Sequence, residues 1–155
     1  MRIGFVVLCV SAMTATVSAT MNPPVDVSGL AKGAEKVVVA SVQHVDSRFD
    51  TSEFGDRLIV SDAALVVEET LKGPHSASAS VTVEGGTVGD LTLDVSDMPR
   101  LKAGDRAVVF LRRTAAGANV PHGRGVGLMK LDSNNRIENS NLTLDEVKRL
   151  VRGDR

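Results

Sequence analysis

Residues 58–86 constrain the fold more than any other stretch, because they have the pattern of two extended strands separated by a short break. In the first half, apolar residues occupy alternate positions, and Ser61 and Glu69 are the polar exceptions. The apolar members are Ile59, Ala63, Leu65, Val67 and Leu71. This two-residue period predicts a long strand with these side chains on one face. The Lys-Gly-Pro sequence at 72–74 ends that strand, since proline has no N–H for a β-ladder, and alternation resumes over 81–83.

Other apolar runs predict further strands around this pair. Residues 37–40 and 107–111 are apolar at odd and even positions alike, which is typical of strands buried on both faces. A shorter alternating run covers 91–95, and 126–131 has the composition of another short strand, whereas the polar segment 114–125 is predicted to be a loop. The chain is therefore predicted to be mainly β, with its strands closing a barrel or a sandwich.

The carboxy-terminal segment has a different pattern and predicts a helix over about 143–152. Thr143 and Glu146 have the spacing of a capping box, in which each side chain accepts a hydrogen bond from the other residue's backbone N–H. Apolar residues then recur at helical spacing, and Gly153 is expected to end the helix.

The amino terminus has the features of a secretory signal peptide over residues 1–19. A basic residue precedes a short apolar core, and small residues at Val17-Ser18-Ala19 suit signal peptidase, so cleavage is expected after Ala19. A membrane-spanning helix needs about 20 apolar residues, more than this core supplies. Export to the periplasm or the extracellular medium is therefore predicted, with no membrane span in the mature chain.

The domain limits and the single cysteine follow from this cleavage site. Residues 20–34, which contain two prolines, are expected to be a flexible leader, and 35–155 a single β-barrel domain that includes the helix. Cys9 raises the alternative of a lipidated amino terminus, but Leu8 stands where a small residue is usual before such a cysteine. Cleavage after Ala19 would leave no cysteine for a disulfide, a metal or catalysis.

Composition counts against nucleic-acid and carbohydrate ligands. The chain has 18 basic and 19 acidic residues, a formal net charge of −1, whereas nucleic-acid binding usually needs a basic surface. Its aromatic residues are four phenylalanines, with no tryptophan or tyrosine, so there is little to stack on bases or sugars. No nucleic-acid partner is predicted.

Several segments together resemble an exported bacterial β-domain and, more distantly, the netrin-like barrel of the tissue inhibitors of metalloproteinases. They are 67–73, with its strand ending in Lys-Gly, 81–86, 98–105 and 108–111, and the resemblance extends over roughly 35–131. It implies a five- to six-stranded antiparallel barrel of the oligonucleotide/oligosaccharide-binding (OB) type with a helix packed on it. The animal inhibitors reach the protease zinc through an amino-terminal cysteine. The predicted mature chain has none, so their mechanism does not transfer.

Neither a metal site nor a phosphate loop is predicted. The three histidines, His44, His75 and His122, lack the close spacing of zinc ligands. The glycine-rich segments 85–89 and 123–127 lead toward predicted strands, not into a helix amino terminus that would hold a phosphate. No cofactor is expected.

The function that these features predict is that of an exported, non-catalytic protein-interaction module, with a peptidase as the partner class that the resemblance implies. Two loops of the barrel are the predicted contact surface. Their residues are Lys72, Gly73, Pro74, His75, Pro121, His122, Gly123 and Arg124. Two alternatives are a small envelope hydrolase and a structural envelope component. The hydrolase would use carboxylates that meet in space, drawn from Glu68, Glu69, Glu84 and Asp94. The sequence does not indicate an oligomeric state.

Overall fold

A computed structural model of the 155-residue chain describes residues 25–51 and 55–153. The predicted signal peptide lies outside the described residues. The elements in chain order are α1 (Val27–Gly33), β1 (Lys36–Thr51), β2 (Arg57–Lys72), β3 (Ser78–Glu84), β4 (Gly86–Val88), β5 (Leu91–Leu93), β6 (Arg106–Arg113), β7 (Asn119–Pro121), a 3-10 helix (Arg124–Gly127), β8 (Leu128–Leu131) and α2 (Leu144–Arg152). In the described chain, neither helix is long and apolar enough to cross a membrane.

Six of the strands form one antiparallel sheet, which confirms the mainly β prediction. The strand order is β3-β2-β1-β6-β7, and β8 pairs with β6 beside β7, while β4 and β5 form a separate two-stranded sheet. Two of these elements differ from the prediction, because β7 lies in the expected loop and a 3-10 helix precedes the short β8. β3 and β7 are edge strands that do not pair with each other, so no closed barrel is found among the described residues.

The sheet is organised by the hairpin of β1 and β2, two strands of 16 residues each. The pairing register of the two strands shifts at three points, and at each of them one strand contains one residue more than its partner. The extra residues are Gln43 in β1 and Glu68 and Leu71 in β2. Such β-bulges bend a strand and increase its twist, so they add local bends to a hairpin that would otherwise be a long, evenly twisted ribbon.

The bulge at Glu68 also corrects the prediction that the alternating residues of β2 share one face. Leu65 pairs with Val42 on the inner face of the curved sheet, but beyond the bulge Glu69 pairs with Val39, which faces the helices. Leu71 likewise packs in the helix-side core. A regular strand would have placed the carboxylate of Glu69 in the apolar interior. The extra residue moves it to the other face, where two cations of α2 lie.

The two faces of the sheet bury two separate apolar cores. On one face, α1 and α2 cover residues of β1, β6 and β8, with Val37, Val108 and Phe110 fully buried. On the other face, the curved sheet encloses residues of β1, β2, β3 and β6, with Val38 and Val81 fully buried. The predicted two-sided burial of the strands at 37–40 and 107–111 is thus observed.

Helix α1 occupies much of the predicted leader. Asp26 accepts a hydrogen bond from the Gly29 N–H and caps the helix, while Val27 and Ala31 are buried in the helix-side core. Residues 27–34 therefore belong to the domain, and the expectation of a flexible leader is wrong for them. Val27, Leu30, Ala31 and Ala34 contact this core at helical spacing, but the helix is only seven residues long and contains two glycines, so its signal in the sequence is weak.

The last turn of α1 is held by a side chain from the end of β2. The Lys72 Nζ donates to the carbonyl oxygens of Ala31 and Ala34, at 2.6 and 2.7 Å, and to that of Lys32 at 3.3 Å. Carbonyls at a helix carboxy terminus have no partners within the helix, and a cation satisfies them well. The Lys-Gly end of β2 thus attaches the first helix to the sheet.

Helix α2 has the predicted capping box. Thr143 and Glu146 exchange side-chain and backbone hydrogen bonds, and Gly153 ends the helix in the left-handed conformation. Val147 is fully buried against the sheet. On the same side, Lys148 and Arg152 both pair with Glu69.

We expect Lys72→Met to lower the free energy of unfolding by about 2 kcal/mol, because the variant keeps the aliphatic stem but leaves three carbonyls without their charged donor. Urea denaturation measures this loss. Lys32→Met is the matched control, since Lys32 is exposed and its ammonium has no hydrogen bond in the described chain. Equal stability of the two variants would contradict the role assigned to Lys72.

Candidate functional site

A cleft of about 370 Å³ lies where β3 and β7 meet the distal half of the β1–β2 hairpin. The two edge strands run side by side there, with Cα atoms within 8 Å of each other but without pairing. The residues that line this space, called the seam cleft below, are Asp50, Thr51, Leu58, Val60, Thr82, Val83, Glu84, Met98, Arg112, Thr114, Val120, Pro121 and Arg124.

The register of the sheet explains why apolar side chains form the floor of the seam cleft. Val60 lies opposite Arg48 in β1 and Glu84 in β3, so these side chains share the outer face of the hairpin. Val60 is nevertheless only 6% exposed. Val120 of β7 lies opposite Arg112 of β6 and contributes from the other side of the seam. An apolar floor with charged and hydroxyl groups around it is the usual composition of a binding pocket.

Arg124 connects the rim of the cleft to the loop after β5. Its guanidinium pairs with Asp97 at 2.6 Å and with Glu84 at 2.9 Å. The hydrogen bonds that Arg124 donates to Asp97, followed by those it donates to Glu84, raise the pKa of Arg124, and the contact with Arg124 lowers the pKa of Asp97. All three groups are exposed, so this network positions the loops more than it stabilises the fold.

Arg112 is the cation of the seam cleft whose charge is not neutralised. It is exposed, and within the described chain its guanidinium takes part in no hydrogen bond or ion pair. The other charged lining residues are paired, since Asp50 binds Arg48 and Glu84 binds Arg124. The seam cleft therefore offers one guanidinium, with its five N–H donors, beside an apolar floor.

The predicted contact loop at 121–124 is packed against the domain. Pro121 is buried, and the His122 N–H donates to the Phe110 carbonyl at 2.6 Å. Gly123 adopts a φ of +77°, and a side chain there would overlap Leu30 of α1. Further along, Gly125 leaves no room for a methyl group against the Asp97 carbonyl oxygen. These close approaches, and not flexibility, account for the glycines of this segment.

The predicted contact loop at 72–75 divides into a structural half and an exposed half. Lys72 caps α1, and Gly73, with a φ of +84°, passes so close to the Glu35 carbonyl that a side chain would clash. Pro74 and His75 are exposed. Both predicted loops border α1, because the ring of His122 lies against Gly33 at the end of this helix.

All four carboxylates of the hydrolase alternative are held in ion pairs. Each pairs with a different cation: Glu68 with Arg106, Glu69 with Lys148 and Arg152, Glu84 with Arg124, and Asp94 with Arg100. The Arg106 hydrogen bond holds the pKa of Glu68 below its usual value. A general acid at neutral pH needs the opposite shift. Residues 25–51 and 55–153 also contain no cluster of three or more His, Cys, Asp or Glu side chains able to hold a metal ion.

Sequence reasoning missed the seam cleft because its walls come from strands far apart in the chain. The sequence contained one indication of an apolar surface there. Leu58 and Val60 are apolar at even-numbered positions of β2, which are usually polar in a strand with one face exposed to solvent. Arg112 carried no signal, since a basic residue at a strand end usually serves solubility. No model of a known protein family matches this chain, and no curated protein matches it either.

We expect the stability conferred by Glu68 to depend on pH. Because its pKa is lowered in the folded state, its contribution is present above its usual value of 4.5 and is lost as the pH falls through the depressed pKa. The stability difference between the wild type and Glu68→Gln, from urea denaturation, should therefore shrink toward zero below pH 4.5. In an Arg106→Gln background the dependence should weaken, because the cation that lowers the pKa of Glu68 is absent. A difference independent of pH would contradict the pairing with Arg106.

We expect Gly125→Ala to destabilise the protein by about 3 kcal/mol, because the new methyl group would overlap the Asp97 carbonyl and force two loops apart. Gly117→Ala is the control: its surroundings are open, so it should cost only the strain of its positive φ, about 1 kcal/mol. Thermal unfolding compares the two. A milder effect at Gly125 than at Gly117 would show that this loop is loose.

Proposed function

We propose that this protein is an exported, non-catalytic interaction module that binds a segment of another exported protein in the seam cleft. The observation that carries the proposal is the combination of an apolar floor with Arg112, a cation left without a partner in the described chain. Apolar contacts of this kind supply affinity, and an unpaired charge at the rim selects a partner of opposite sign. The segment therefore offers an apolar side chain beside an acidic one.

The proposal moves the contact surface away from most of the residues predicted from the sequence. Lys72, Gly73 and Gly123 have structural tasks at α1, and the charge of Arg124 is shared between two carboxylates. Pro121 and Arg124 remain in the surface, because they line the seam cleft. The exposed pair Pro74 and His75 is a secondary contact at most.

A barrel of the OB or netrin-like type is the finer description of the fold that we propose. Its support is the curved hairpin and the close approach of β3 to β7, the two edges that a barrel would join. The same resemblance suggests a secreted peptidase as the partner class. The ion pairing of all four carboxylates favours binding over hydrolysis, and the signal-like residues 1–19 favour export.

The first experiment captures partners on the immobilised protein from the envelope and the culture fluid of its own cells. We expect one exported protein at stoichiometric ratio, and Arg112→Ala should weaken its Kd roughly tenfold, as loss of a rim ion pair would. Val120→Asn, which makes the floor polar, should weaken it as well. Surface plasmon resonance measures both.

Arg113→Ala is the matched control, since the neighbouring arginine is exposed and does not line the seam cleft. This variant should bind as the wild type does. If Arg112→Ala and Arg113→Ala weaken affinity for the partner equally, the effect comes from net charge and not from the seam cleft. Undiminished binding by Arg112→Ala and Val120→Asn would refute the seam cleft as the contact surface. Turnover of a captured peptide would refute the non-catalytic assignment.

A further inference from the structure

The backbone of β3 presents an unpaired row of hydrogen-bonding groups. In its pairing with β2, the Val67 N–H donates to the Ala77 carbonyl, and the Gly85 N–H donates to the Ile59 carbonyl. Residues 77 and 85 therefore direct their backbone groups toward β2. Because these groups alternate in direction along an antiparallel strand, those of the even-numbered residues between them point away from β2.

The residues with outward backbone groups in the middle of this edge are Ser80 and Thr82. Neither has a backbone hydrogen bond on that side to any other described residue, because β3 pairs with β2 alone. Ser80 is exposed, and its small side chain does not obstruct an approaching chain. Edge strands of this kind accept an added strand readily, and many proteins protect them with charges or proline. Residues 78–83 carry neither.

The same edge leads into the seam cleft. Thr82 and Glu84, at the end of β3, line it together with Arg112 and Val120. The β3 residues that line the cleft are the last three of the strand, 82–84, and β7 has Cα atoms within 8 Å of β3. A chain paired with Ser80 and Thr82 would therefore continue directly toward the apolar floor and the free guanidinium.

We propose that the partner segment binds in extended conformation, by adding a strand to the edge of β3. The inference rests on the proposed function and specifies its chemistry. The segment pairs its backbone with Ser80 and Thr82, places one apolar side chain on the floor beside Val120, and presents an acidic side chain to Arg112. Backbone pairing supplies affinity for any extended chain, and the side-chain pocket supplies selectivity.

The test uses a displayed library of random dodecapeptides, selected on the full protein and then assayed as synthetic peptides. We expect the enriched peptides to alternate apolar and polar residues and to carry one acidic residue. Thr82→Pro should reduce their affinity at least tenfold, because proline removes the outward N–H without touching the β2–β3 ladder.

Thr82→Val is the matched control. Both variants lose the hydrogen bond from the Thr82 hydroxyl to Asp62, but valine keeps the backbone N–H. The valine variant should therefore keep most of the affinity that the proline variant loses. Circular dichroism checks that the proline variant is folded. In the wild type, moreover, amide hydrogen exchange at Ser80 and Thr82 should slow on peptide binding, a readout that needs no variant.

The outcomes separate this inference from the proposed function. One outcome would overturn strand addition and leave the seam cleft as the binding surface. In it, Val120→Asn weakens peptide binding, Thr82→Pro does not, and amide exchange at Ser80 and Thr82 is unchanged when the peptide binds. If no enriched peptide is sensitive to Val120→Asn or to Thr82→Pro, both strand addition and the seam cleft as the binding surface are overturned. A dimer in light scattering that Thr82→Pro dissociates would identify a second copy of this chain as the occupant and overturn the proposed partner.

Discussion

The structure depends on three extra residues in one hairpin. Gln43, Glu68 and Leu71 each interrupt the register of β1 and β2, and each bends the ribbon. Two regular strands of this length would form an evenly twisted ribbon with one set of side chains on each face. With the bulges, the base of the hairpin lies under two helices and its distal half curves toward β7. The two separate cores and the seam between β3 and β7 both follow from this curvature.

The same bulges determine which polar groups remain available for a partner. Glu69 is shifted to the helix side, where it pairs with two cations of α2, and Lys72 reaches the end of α1. The charges at the base of the hairpin are thus used in holding helices to the sheet. At the other end, the edges approach without pairing, and Arg112 keeps its charge unneutralised in the described chain. The seam therefore combines an apolar floor with this unneutralised cation.

Features encoded within a few neighbouring residues could be predicted from the sequence. The long strand β2, the two-sided burial at 37–40 and 107–111 and the capping box of Thr143 are local signals, and the structure contains all three. Other features depend on contacts between distant segments. Helix α1 owes its place to Lys72, which lies 38 to 41 residues away from the carbonyls it binds most closely. A bulge likewise leaves no local signature at Glu68, and the seam cleft combines residues of five strands.

Backbone amide shift mapping would show directly whether this protein binds its partner at the proposed surface, the seam cleft and the β3 edge. The isotope-labelled protein is titrated with the captured partner while all assigned amides are followed. We expect the largest amide chemical-shift changes at Ser80, Thr82, Arg112 and Val120. Shifts confined to His75, Lys32 and the surroundings of α1 would contradict it, because they would identify the loops beside that helix as the contact surface.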